Sequence, residues 1–139
     1  MSFSEYISPL VGRLILAWFF LSSALGYSAQ WDATIQLMAL KGIPAPPLLL
    51  ALALIAMALG GLSLVFGFQT RHGAVLLFGF TIVASVAMHN FWTIANPIDR
   101  AADYDIFARN MAIAGALLLL VGMGPGPVGF DSLKPKGRR

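Results

Sequence analysis

The sequence predicts an all-α integral membrane protein, a four-helix bundle with both termini in the cytoplasm, and three observations predict it. Of the 139 residues, 58% are hydrophobic and only 11% charged, against about 25% charged in a soluble domain. Four apolar stretches approach the roughly 20 residues needed to cross a bilayer. The nine Lys and Arg residues fall unevenly on the two sides of those stretches.

The first stretch runs over about 10–29, with Arg13 near its start, and the second, about 48–68, has no charged residue. The third, about 73–92, carries His89 near its end, and the fourth, about 106–123, carries Arg109 and Asn110 in its first turn. The runs are continuous rather than alternating, which fits helices and not barrel strands. Pro46 and Pro47 stand at the start of the second, where a missing N–H costs nothing. Asp105 is placed to cap the fourth, and Gly124-Pro125-Gly126-Pro127 ends it. Only Gln69 to His72 separate the second span from the third, so these two are antiparallel neighbours. The whole chain reads as one membrane domain, with 124–139 as a basic cytoplasmic tail.

Short flanks rich in Lys and Arg stay on the cytoplasmic side. With four spans, Arg13, Arg71, Lys134, Lys136, Arg138 and Arg139 share one side, and Lys41, Arg100 and Arg109 share the other. Both termini are therefore expected inside. A cleavable signal peptide, with Leu14 to Leu21 as its apolar region and Tyr27-Ser28-Ala29 as its cleavage site, is the competing reading. It would leave an odd number of spans.

In lipid, helices associate by close packing rather than by hydrophobicity. Ala53, Ala56, Gly60, Ser63 and Gly67 lay a narrow seam along the second span, expected to serve the bundle itself, with an oligomer contact as the alternative. Thr81, Ser85, His89 and Thr93 recur at intervals of four on the third span and share a face. The hydroxyls of Thr81 and Ser85 are expected to bond back to their own helix. An imidazole cannot satisfy both nitrogens that way.

Thinly spread basic residues exclude a phosphate-tracking stripe, and so nucleic acid as a partner. The absence of cysteine excludes thiolate-held metals, iron–sulfur clusters and disulfides. His72 and His89, seventeen residues apart, lie roughly 25 Å from each other along a helix and cannot share a haem. No nucleophile has an adjacent base, and no catalytic or metal-binding residue is assigned. Asp99, Asp103 and Asp105 read as a solvated outer loop.

One polar cluster does emerge. His89, Asn90 and Trp92 close the third span, Arg109 and Asn110 open the fourth, and Tyr27 and Gln30 end the first, all at one depth near the outer interface. An ionisable residue within a membrane is by default a functional-site hypothesis, so these seven are the candidate ligand-binding residues. The bland account keeps weight: Trp92 and Trp31 fit an interfacial belt, and Arg109 fits a side chain that snorkels to the headgroups. Asn110 is the residue expected to face inward, toward His89.

The chain resembles the DoxX family of small four-helix membrane proteins. The resemblance rests on Gly12-Arg13-Leu14, Lys41-Gly42-Ile43-Pro44, Gly60-Gly61 with Gly67-Phe68-Gln69-Thr70-Arg71, His89-Asn90-Phe91-Trp92, Phe107-Ala108-Arg109-Asn110 and Gly124-Pro125-Gly126. It covers nearly the whole length. Where the family often carries a lysine in the first span and a glutamate in the second, this chain has Tyr27 and Met57, so a charged pair is replaced on both sides together. Arg109 stands where lysine is common.

The resemblance implies a multi-pass protein of the inner membrane linked to redox or stress processes. Some relatives are akin to a subunit of a thiosulfate to quinone oxidoreductase. The expectation is a non-catalytic subunit or anchor of a redox complex, with no intrinsic cofactor and a quinone as the ligand that would suit the outer cluster. Its partners would be membrane lipid and other membrane subunits or further copies of itself. A purely structural assembly subunit is the alternative, and transport of a small solute has less support.

Overall fold

Four helices in the computed structural model are long and apolar enough to cross a membrane, and they lie where the apolar runs predict them. The structure describes residues 1–135; Lys136, Arg138 and Arg139 of the expected basic tail lie outside the described residues. Helix α1 spans Phe3–Ala29, α2 Trp31–Leu40, α3 Pro46–Phe66, α4 Thr70–Met88 and α5 Pro97–Met123, with 3-10 turns at Phe91–Thr93 and Phe130–Leu133.

Two spans begin well before their expected starts. Ser2 caps α1 in a reciprocal box, its Oγ accepting from the Glu5 amide while Glu5 Oε2 accepts from the Ser2 amide at 2.8 Å. Asn96 caps α5, with Oδ1 accepting from the Ile98 amide at 2.9 Å, and Pro97 follows in the first turn. Asp105, expected as the cap, therefore sits inside the helix. At 27 residues each, α1 and α5 run about 40 Å, beyond the roughly 30 Å hydrocarbon layer. Hydropathy finds only the immersed part of such a helix.

Helix α2 occupies a stretch in which no span was expected. It follows α1 through Gln30, whose amide donates to Gly26 O at 3.0 Å while its carbonyl accepts from the Thr34 amide at 2.9 Å. Ten residues are too few to cross the bilayer, and Met38 is its buried contact. At the opposite end, Gly67 (φ 64°) and Gln69 (φ 51°) adopt the left-handed conformation and turn α3 into α4 within three residues.

Helix α1 lies against α3, α3 also against α4, and α4 against α5. The core joins Ala17 and Phe20 of α1, Met57 and Leu64 of α3, Ala74 and Leu77 of α4 and Leu117 of α5. The small residues of α3 permit this approach: Gly60 meets Leu77, Gly61 meets Leu21 and Ser63 meets Gly73. The seam thus serves contacts within the chain. Ile15, Trp18, Leu25, Leu59, Val83 and Leu119 are exposed around the outside, as lipid-facing side chains are. The segment after Gly124 folds back under the bundle rather than running away from it.

Candidate functional site

The polar cluster expected near the outer interface is organised by the break between α4 and α5. Helix α4 stops at Met88, and the chain reverses through a 3-10 turn before Asn96 starts α5. Arg100 holds that reversal, donating from Nε to Ile94 O at 2.7 Å and from Nη2 to Ala95 O at 3.3 Å. Asp103, two turns into α5, thereby comes back to His89, whose Nδ1 lies 2.9 Å from Asp103 Oδ1. The two side chains keep only 23% and 16% of their surface. Since a carboxylate only accepts, Nδ1 carries the proton and Nε2 is the free ring nitrogen. Beside the pair, the Lys41 ammonium donates to Asn90 Oδ1 at 3.1 Å and ties the α2–α3 connection to the same place.

Three polar atoms near this pair are buried without a hydrogen-bond partner: Asp103 Oδ2, Ser85 Oγ and Thr81 Oγ1. The expectation that Thr81 and Ser85 bond back to their own helix is overturned. Elsewhere in the chain the back-bond does form, from Ser23 Oγ to Phe19 O at 2.6 Å and from Thr34 Oγ1 to Gln30 O at 2.8 Å. Ser85 and Thr81 lie one and two turns below His89 on the inward face. Polar groups without a partner thus run from the α4–α5 break toward the middle of the bundle.

An aromatic cluster adjoins the pair. Phe91 lies edge-on to Trp92, Tyr104 and Phe107, with ring centres 5.2, 5.0 and 5.3 Å away. Trp92 is 54% exposed, so one side of this cluster is open at membrane level.

The other expected members are placed differently. Asn110 is half-buried in α5, and its side chain makes no hydrogen bond among the described residues. Arg109 stays exposed, its guanidinium carbon 5.9 Å from the Phe19 ring centre. Tyr27 and Gln30 are exposed at the end of α1, and the imidazole's hydrogen-bonding partner is Asp103. Of the two positions where the chain departs from the family pattern, Met57 is buried in the core and Tyr27 lies on the surface. Asp103 and Lys41 were missed by sequence reasoning. Asp103 was read as part of a solvated loop because the start of α5 was placed after it; the Asn96-Pro97 start signal would have found it.

A second polar assembly, also missed, closes the end where α1 begins and α5 ends. Arg13 is 2% exposed, and its Nη1 donates to the carbonyls of Pro125 and Val128 at 2.7 Å each. Asp131 caps α4, its two oxygens accepting from the Gln69 and Thr70 amides at 2.8 Å each, while its own amide donates to Gly67 O at 2.8 Å. Burial alone pushes the Asp131 carboxyl up. The Thr70 and Gln69 amides, the neighbouring Thr70 hydroxyl and the Lys134 ammonium outweigh it and hold the group below its ordinary range. Gly67 and Gly129 let two backbones touch here: a Cβ on Gly67 would stand 2.7 Å from Gly129 Cα.

The comparisons with known proteins agree with the architecture. The DoxX family model matches residues 8–90, three of the four spans, and stops at His89-Asn90. The chain is 32% identical to inner membrane protein YqjF of Escherichia coli (strain K12) over 133 residues, 95% of either chain. It is also 32% identical to inner membrane protein YphA of the same organism over 123 residues, covering 88% of this chain and 86% of that one. A Drosophila melanogaster Surfeit locus protein 4 homolog is 31% identical over 74 residues, 52% of this chain and 27% of its own length. No solved structure matches.

Proposed function

As the chain belongs to the DoxX family, we propose that it is a non-catalytic inner membrane subunit that offers a quinone headgroup a site at the outer interface, next to a redox partner. The observation that carries this reading is the half-buried His89–Asp103 pair beside an open aromatic cluster. With Asp103 holding Nδ1, the Nε2 atom accepts from a quinol hydroxyl when the ring is neutral and donates to a quinone carbonyl when it is protonated. Trp92 offers a flat face for the ring. The inner membrane placement is taken from the names of the two bacterial relatives and from the four apolar helices. Electrons would have to pass through the partner, since the cysteine-free chain holds no cluster of its own.

The test is gentle purification followed by identification of the lipids, quinones and proteins that come with the chain. Quinone is expected to accompany the native protein and to be lost from His89→Ala and Asp103→Asn, with the unfolding temperature of the quinone-free protein changed little. If no quinone is retained and both variants instead lower that temperature, the pair is a structural tie and the chain an assembly subunit.

A further inference from the structure

We propose that the cleft at the end where α1 begins and α5 ends holds a phosphate group, presented by an anionic phospholipid of the adjoining leaflet. The cleft measures about 470 Å³ and is lined by Thr70, Arg71, His72, Met123, Asp131 and Lys134 among others. That volume falls within the roughly 300–1,000 Å³ of small-molecule sites. Its walls are the first turn of α4, the end of α5 and the returning C-terminal segment.

The donors there exceed the acceptors. Asp131 takes the Gln69 and Thr70 amides, which leaves the amides of Arg71 and His72, next in the first turn, without a helical acceptor. The Arg71 guanidinium is folded over Gly124, where an added Cβ would stand 3.3 Å from Nη2, and it makes no hydrogen bond among the described residues. Thr70 Oγ1, in the cleft wall, is fully buried and completes no hydrogen bond of full geometry, its polar neighbour being the Asp131 carboxylate. Lys134 sits 3.9 Å from Asp131 Oδ1, and Arg71 lines the same cleft, so the lining carries two cations and one carboxylate. Free amides at a helix start with an uncommitted guanidinium are what a phosphate recognises. A lipid is the better source than a dissolved anion. The cleft opens where the apolar part of α4 ends, and Met123 and Phe130 are exposed nearby as apolar surface.

The experiment is mass spectrometry of the intact protein released from mild detergent after incubation with phosphatidylglycerol, with diacylglycerol, or with inorganic phosphate. Phosphatidylglycerol is expected to stay bound and diacylglycerol is not. The double variant Arg71→Ala/Lys134→Ala should retain the phospholipid on the order of tenfold less, with the unfolding temperature in its absence lowered by no more than loss of the exposed Lys134–Asp131 pair accounts for. Lys134→Gln alone provides a milder version of the same loss. Displacement of the phospholipid by inorganic phosphate would support the phosphate site and make its natural occupant a soluble anion. Equal retention of phosphatidylglycerol by native protein and double variant, or binding of diacylglycerol as firmly as phosphatidylglycerol, would overturn the proposal.

Discussion

Asp131 shows how much one side chain decides at this end of the molecule. Its carboxylate satisfies two amides at the start of α4 that would otherwise be unpaired, and it anchors the segment that Arg13 grips from the other side through Pro125 and Val128. Because the folded state holds the Asp131 carboxyl below its ordinary value, the ionised form stabilises the fold. That contribution is complete above the ordinary carboxylate range of about 3.9 and is lost as the pH falls through the lowered folded value. Asp131→Asn should therefore unfold at a lower temperature than the native protein in detergent at neutral pH. The gap should stay constant down to a pH of about 5 and close below about 4. A gap that widens on acidification would show that the carboxylate does not work in this way.

At the scale of the element, α3 is the helix whose composition matters most. It carries no charge, and two adjacent glycines meet different neighbours, Gly60 against Leu77 of α4 and Gly61 against Leu21 of α1. A Cβ on Gly60 would come within 2.6 Å of Leu77 Cδ2. Gly60→Leu should accordingly cost roughly 1 to 3 kcal/mol by overpacking, read as a lower unfolding temperature in detergent. Gly115 of α5 meets nothing within 4 Å, and Gly115→Leu should be close to neutral. Equal effects at the two sites would mean that α3 does not pack as described. Helix α5 teaches the complementary lesson. Its first nine residues include the charged Asp99, Arg100, Asp103 and Asp105, so the apolar pattern located only the part of the helix beyond them, while Asn96-Pro97 marked its true start.

For the whole molecule, the structure places both described ends of the chain at one end of the bundle, since Gly126 packs against Pro9 and Arg13 reaches Val128. The Lys and Arg asymmetry sets the expectation that this end faces the cytoplasm, and the cysteine-free chain makes it directly measurable. Single cysteines at Ser2, Ala102 and Ser132 all fall on exposed positions. In intact cells an impermeant thiol reagent should label only the one at 102, and labelling at 132 would reverse the orientation. The arrangement is one group of polar side chains at the end where α4 stops and α5 begins, one basic cleft at the opposite end, and an apolar core of Phe20, Met57, Leu77 and Leu117 between them. That core separates the two polar regions.

The number of spans, their order and their family were legible in the sequence because the bilayer imposes a length and a composition that a one-dimensional pattern records directly. The packing use of Gly60 was legible too, since only small residues let helices approach in lipid. The polar cluster was legible as a depth, which residue counting along antiparallel helices provides. Depth does not fix the direction in which a side chain points. The tertiary structure decided that His89 meets Asp103 and that Arg109 stays outside. It also decided that Arg13, read from the sequence as a topological charge and as part of the Gly12-Arg13-Leu14 motif, is buried against the carbonyls of a segment more than a hundred residues away. Partners so distant in the chain leave no periodic trace, and their pairing appears only when the folded backbone brings donor and acceptor to hydrogen-bonding distance.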